Sequence, residues 1–275
     1  MSCRFVSTKL STSSLFTMFS FALTRFLALC TTRVLAVPAD RVLPKRATCT
    51  PASLGNTSDD DTPAIKAAIT SCGNGGIIII PAGTTYSIRT PLDFAGCVNC
   101  DFQLEGTLKA SDDYVYWEGQ TAFLTLNNIA GVKIRSLTGS GVIDGNGQDS
   151  YDAYVVSTFA RPTAIYVNGG SNVVVSGFTM KNVPNVFISQ KGGTVNANYA
   201  SVTMTAASKS TNLPKNTDGF DIGESTYTTI KDVYVSNQDD CIAFKAGCNY
   251  VTVDGITCAG TNVSFGAVDA VENMH

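Results

Sequence analysis

The sequence predicts an all-β fold, a coiled parallel β-solenoid closed at its N-terminal end by a short helix. Three observations carry that reading. The 275 residues are 44% hydrophobic but only 15% charged and include 24 Gly, a balance suited to a β-rich secreted protein. Short alternating segments follow one another with Gly/Asn turns between them. Asp218 is followed by Asp239 after 21 residues and by Asp240 after 22, close to one solenoid turn of about 20–25 residues. Residues one turn apart stack on neighbouring parallel strands about 4.8 Å apart, so this spacing sets the acids side by side. A β-sandwich is the competing architecture, and it gives the spacing no purpose.

In chain order, residues 1–36 read as a secretory signal and 37–46 as a propeptide ending in the dibasic Lys45-Arg46. Residues 1–46 hold seven Lys/Arg and one acid, which leaves 12 Lys/Arg against 21 Asp/Glu, a net charge of −9, in the rest. Residues 47–275 form a single domain. Asp59–Cys72 places acids and Pro63 before Ala64, Ile65, Ala68 and Ile69 at helical spacing. Such a helix covers the open end of a solenoid. Ile77–Ile80 is a buried strand ended by Pro81. Phe102–Leu108, Val132–Leu137, Val173–Phe178 and Tyr199–Met204 alternate as strands, and the polar, aromatic insert Asn146–Arg161 walls a groove. Repeat units starting at 132, 173, 228 and 251 are separated by 41, 55 and 23 residues, read as two, two and one coils. In the last stretch, Thr229, Lys231, Val233 and Val235 fall on one face and Ile230, Asp232 and Tyr234 on the other.

Function classes fall away quickly. Net negative charge argues against nucleic acid, and no body segment reads as a membrane span. The single histidine is His275, so Ser–His–Asp, Cys–His and His-rich metal sites are excluded. The CxxC of Cys97 and Cys100 lacks the further ligands that zinc needs. Neither metal nor cofactor is expected. Carboxylates must carry any catalysis. Acids set close together repel, so one keeps its proton to higher pH and can donate it to a glycosidic oxygen while ionised partners activate water. Asp221, Asp232 and Asp254 are read as solvated or structural.

Asn216-Thr217-Asp218, followed one coil later by Gln238-Asp239-Asp240-Cys241, resembles the polygalacturonase group, glycoside hydrolase family 28. The resemblance runs from Cys49 to Cys258. It implies a right-handed parallel β-helix and inverting, cofactor-free hydrolysis of α-1,4-galacturonosidic bonds in pectin, by a secreted monomer. It implies Asp239 as general acid, with Asp218 and Asp240 positioning the attacking water. Asn216, Gln238 and Lys245 are the substrate-binding candidates, with Asn216 orienting Asp218 or contacting sugar. It also implies Cys49–Cys72 and Cys241–Cys258 disulfides, leaving Cys97, Cys100 and Cys248 unassigned and a cysteine partner expected beyond residue 275. Secretion gives meaning to the glycosylation sequons at Asn56 and Asn262.

The family's Gly-His-Gly has no counterpart after Cys258, where the chain reads Ala259-Gly260-Thr261-Asn262, and its later Arg-x-Lys is absent. The expectation is a C-terminally incomplete chain with little or no turnover. A pectate lyase, which needs calcium and a basic residue, is disfavoured because no arginine follows Arg161. A xylogalacturonan hydrolase and a pectin-binding solenoid without turnover are the other readings.

Overall fold

A computed structural model describes residues 45–259, together with the backbone of Val263–Phe265 and two two-residue strands, Cys3–Arg4 and Val271–Glu272. The signal and propeptide readings up to residue 44, and the Asn262 sequon, lie outside the described residues. Asn56 is exposed.

The body is a parallel β-helix of three sheets. The first has eight strands, from Thr48–Cys49 to Cys248–Asp254. The second has seven, from Thr85–Ile88 to Thr257–Cys258, and the third has seven, from Leu92–Asp93 to Val263–Phe265. Each full coil visits the sheets in that order. Neighbouring coils pair in parallel: Thr228 stands level with Val251, Met180 with Met204 and Phe220 with Ile242. A sandwich's antiparallel pairing has no place in these ladders.

The core is built by alternation along each short strand. Phe102 and Leu104, Val173 and Val175, and Phe220 and Ile222 point inward and are essentially inaccessible. At the N-terminal end, the helix Thr62–Cys72 turns Ile65, Ala68, Ile69 and Cys72 onto the first coil. Its Asp61 makes no helix-capping bond. Instead the buried carboxylate accepts the Leu54 and Ser87 backbone N–H groups, each at 2.7 Å. Cys49 and Cys72 are bridged, fastening the cap to the first strand. Cys97 and Cys100 form a second bridge.

Three expectations need correction. Val174 pairs directly with Lys133, so the 41 residues between 132 and 173 are one coil with an insertion, not two coils. Part of the insertion is the helix Gln148–Val156. The alternation through Thr229–Val235 also breaks. Asp232 adopts a left-handed φ of 51° at the corner, which turns Ile230, Val233 and Val235 all inward and leaves Lys231, Asp232 and Tyr234 exposed. Phe102–Leu108 divides at Gly106, where a Cβ would lie 2.4 Å from the Pro81 carbonyl oxygen.

Candidate active site

The acids stand where the chain leaves the second sheet and enters the third. Asp218 and Gly219 precede Phe220–Ile222, and Asp239, Asp240 and Cys241 precede Ile242–Phe244. Phe220 pairs with Ile242, which puts Asp218 level with Asp240. The Gly219 N–H donates to the Asp240 carbonyl at 2.9 Å, and the Phe187 N–H donates to the Asp218 carbonyl at 2.9 Å. A Cβ at Gly219 would lie 2.5 Å from the Cys241 carbonyl oxygen, so only glycine lets the two coils close here. The buried Asn237 side chain donates to the carbonyls of Thr217 and Asp240, tying the two acid-bearing turns together. Cys241 is bridged to Cys258, with Cα atoms 5.8 Å apart, and this links the site to the next coil.

These constraints bring carboxylate oxygens of Asp218, Asp239 and Asp240 within 4.8 Å of one another. Asp239 is held by backbone alone. One oxygen accepts the Asn216 N–H at 3.0 Å and the other accepts the Asp240 N–H at 2.9 Å. Asp239 and Asp240 are half-buried, whereas Asp218 is only 8% exposed. Burial pushes the Asp218 carboxyl up to about 7. The charges of Asp221 and Asp239 and a hydrogen bond shared with Asp221 act in the same direction, and Lys245 opposes them. The cluster therefore keeps a proton through the mildly acidic range.

Asp221, expected to be solvated or structural, stands beside the acids. It lies on the outward side of Phe220–Ile222, where its charge helps raise the Asp218 carboxyl, and has Lys245 Nζ 3.1 Å from its Oδ1. That oxygen meets no hydrogen-bond criterion, so the contact is an ion pair without a directed bond. The sequence signal was parity: Asp221 lies between two inward residues. Lys245 is nearly half exposed beside the acids. It also belongs to a column on the outer face of the third sheet, where Gly223 is flanked by Lys191 and Lys245 on the neighbouring coils. Lys191 Nζ sits 5.2 Å from the Tyr166 ring centroid. Gln238 is exposed at the lip of the turn.

Asn216 is exposed, and its hydrogen bonds run to Arg161 and Asp239. Its side-chain oxygen accepts from Arg161 at 2.8 Å, and its backbone serves Asp239 rather than Asp218. Arg161 is buried, donates to the carbonyls of Pro184 and Lys215, and stacks on Tyr154 with 3.6 Å from its guanidinium carbon to the ring centroid. The insert thus does more than wall a groove, because it clamps the loop beneath Asp239. An arginine does stand near the acids, but its terminal nitrogens are engaged by the Pro184 and Lys215 carbonyls and by Asn216.

A parallel β-helix whose corner gathers carboxylates around a retained proton, beside a face carrying lysines and a tyrosine, defines a glycoside-hydrolase type of site. The chain belongs to the glycosyl hydrolases family 28, whose family model matches residues 72–274. It is 56% identical over 243 residues to a probable endo-xylogalacturonan hydrolase A of Aspergillus oryzae, covering 86% of this chain and 60% of that protein. It is 52% identical over 243 residues to endo-xylogalacturonan hydrolase A of Aspergillus tubingensis, with the same coverage. A crystal structure of the endo-xylogalacturonan hydrolase from Aspergillus tubingensis superimposes with a TM-score of 0.77 and 55% identity, covering 78% of this chain and 58% of that one. The chain therefore spans about 60% of the length of the curated relatives it matches. A polygalacturonase from Erwinia carotovora ssp. carotovora, 21% identical with a TM-score of 0.57 over 79% of this chain and 65% of that one, shares the fold.

Proposed function

We propose that the acid corner hydrolyses the galacturonan backbone of pectin by endo-cleavage, with xylose-substituted galacturonan as the substrate. The observation that carries the hydrolytic reading is the cluster of Asp218, Asp239 and Asp240 within 4.8 Å, with Asp218 protonated to about pH 7. The substituted backbone is favoured over plain homogalacturonan by the 52–56% identity to proteins named endo-xylogalacturonan hydrolases.

Each residue has a task in this reading. Asp239 is more open than Asp218 and is fixed through both oxygens, so it meets the glycosidic oxygen; the proton held on Asp218 passes to it across the cluster before delivery, which leaves Asp218 ionised. Asp218 and Asp240, level across two coils, draw a proton from the attacking water. Lys191 and Lys245 supply charge for the substrate carboxylates along the same face, and Gln238 lies within reach of a sugar hydroxyl. The bond from anomeric carbon to leaving oxygen breaks as the water oxygen bonds to that carbon. Asp239 ends ionised, and the water's second proton ends on the Asp218–Asp240 pair. The site is that of a secreted monomer cleaving an extracellular polysaccharide.

Reducing-end release from xylogalacturonan and polygalacturonate tests the proposal, with Asp239→Asn as control. Release is expected to be higher on the substituted polymer and lost in Asp239→Asn. Turnover that survives Asp239→Asn overturns the acid assignment. Binding without any turnover favours the pectin-binding solenoid instead. Carboxyl pairs as close as these also occur in retaining enzymes, so proton NMR of the first-formed anomer must show inversion.

A further inference from the structure

The first sheet carries a ladder of left-handed residues, one per coil, on a face not shared with the acids. Asn99, Gly131, Asn172, Asn196, Tyr227 and Tyr250 have φ between 51° and 74°. The strand registers place Asn172 level with Asn196, Asn196 with Tyr227, and Tyr227 with Tyr250. Asparagine and glycine suit this backbone region, whereas a bulky residue there is an outlier. In the earlier coils the ladder bonds to itself, with the Asn196 side-chain N–H donating to Asn172 Oδ1 at 2.6 Å. In the last two coils it becomes a tyrosine pair, rings stacked at 5.0 Å and 18° apart. Tyr227 is 56% exposed.

We infer that Tyr227 and Tyr250 form a second carbohydrate site, which takes a pyranose ring of a galacturonan chain away from the acid corner. The tyrosines border a shallow depression of about 180 Å³ with Asn196, Thr229 and Thr252. An aromatic face with hydroxyl and amide groups at its edge matches a sugar ring, whose C–H face is apolar and whose rim is polar. Asn196 also borders a longer concavity along the same face, lined by Asn172, Asn198, Asn99 and Lys133. This track lets the chain continue across the coils and meet a cation. Holding the polymer on one face would raise its local concentration at the acids on another. The choice of galacturonan rests on the proposed function, but the stacking site does not.

The test is retardation in native gels containing xylogalacturonan, polygalacturonate or a neutral glucan, run in the Asp239→Asn background so that the polymer stays intact. Tyr227→Asn/Tyr250→Asn should weaken retardation by the galacturonans about tenfold or more. Its Tm should be equal or higher, because asparagine is native to this ladder in earlier coils. Tyr227→Trp/Tyr250→Trp should retain binding. Unchanged retardation in the asparagine variant overturns the proposal. So does a loss of retardation with a fall in Tm, which would make the tyrosines packing residues. Retardation by the neutral glucan alone overturns the galacturonan assignment. Hydrolysis of short oligomers, assayed separately without the Asp239 substitution, should not respond to the tyrosine changes. Failure of hydrolysis with intact ladder-dependent retardation would sink the proposed function and leave this site standing.

Discussion

Asp101 and Asp218 are both buried carboxylates in the same solenoid, 1% and 8% exposed, yet they have opposite surroundings. Asp101 accepts two hydrogen bonds from Arg135, at 2.8 and 2.7 Å, with Gln103 donating a third. These partners outweigh its burial and hold its carboxyl below the usual range. Asp218 is surrounded by Asp221, Asp239 and Asp240, and its carboxyl is pushed up to about 7. A fold seeking only stability gives each buried acid donors, a guanidinium at Asp101 and backbone N–H groups at Asp61. Crowding acids together costs stability, and that cost supports the catalytic role proposed for the cluster.

The largest expected effect lies in activity. Asp239→Asn should lower kcat by roughly 10²–10⁴-fold with little change in Tm, while Asp101→Asn should leave the turnover of folded protein intact. A normal kcat for Asp239→Asn would erase the distinction between the two acids. Next comes the matched pair: Arg135→Ala leaves Asp101 buried without its guanidinium. Arg135 is about one-third exposed, so the loss should be roughly 2–4 kcal/mol, at or below the usual range for breaking a buried pair. Denaturant unfolding near neutral pH measures it.

The two acids also predict opposite responses to pH. For Asp218 the folded pKa lies above the unfolded value, so native protein binds more protons between about pH 4 and 7. Stability then declines as pH rises through that window and levels above it. Asp218→Asn should remove this slope, worth on the order of a few kcal/mol, and raise stability at neutral pH. Asp101 works the other way. Its folded pKa is lowered, so its contribution is present above the unfolded value near 4 and is lost as pH falls through the folded value. Unfolding midpoints across this range for Asp218→Asn and Arg135→Ala would separate the two slopes, and a common slope would contradict the comparison. The smallest effect expected is at the clamp. Arg161→Lys keeps the charge but loses the forked contact to Asn216 and the two carbonyls. It should lower kcat about tenfold, a cost of about 1.4 kcal/mol at the transition state, with KM nearly unchanged.

Local chemistry made much of the molecule legible in one dimension. The coil repeat follows from apolar residues alternating in short runs, and the acid corner from carboxylates spaced by one turn. The cap follows from acids and a proline set before a helical period. Resemblance added the Cys49–Cys72 and Cys241–Cys258 pairings. What the chain alone did not yield depends on how coils stack. The 41-residue gap hid a single coil because an insertion and an extra turn have the same length in sequence. Asp232 reversed the facing of its neighbours because one left-handed residue shifts the two-residue period. Asp221 joined the site, and Arg161 came to lie beneath Asp239, only once parallel register had set distant segments side by side. The tyrosine pair has the same origin: 23 residues separate Tyr227 from Tyr250 in sequence, and only the coil brings their rings within 5.0 Å. Sequence spacing specifies which residues can meet on neighbouring coils, whereas burial and the charges gathered by stacking decide which acid holds the proton.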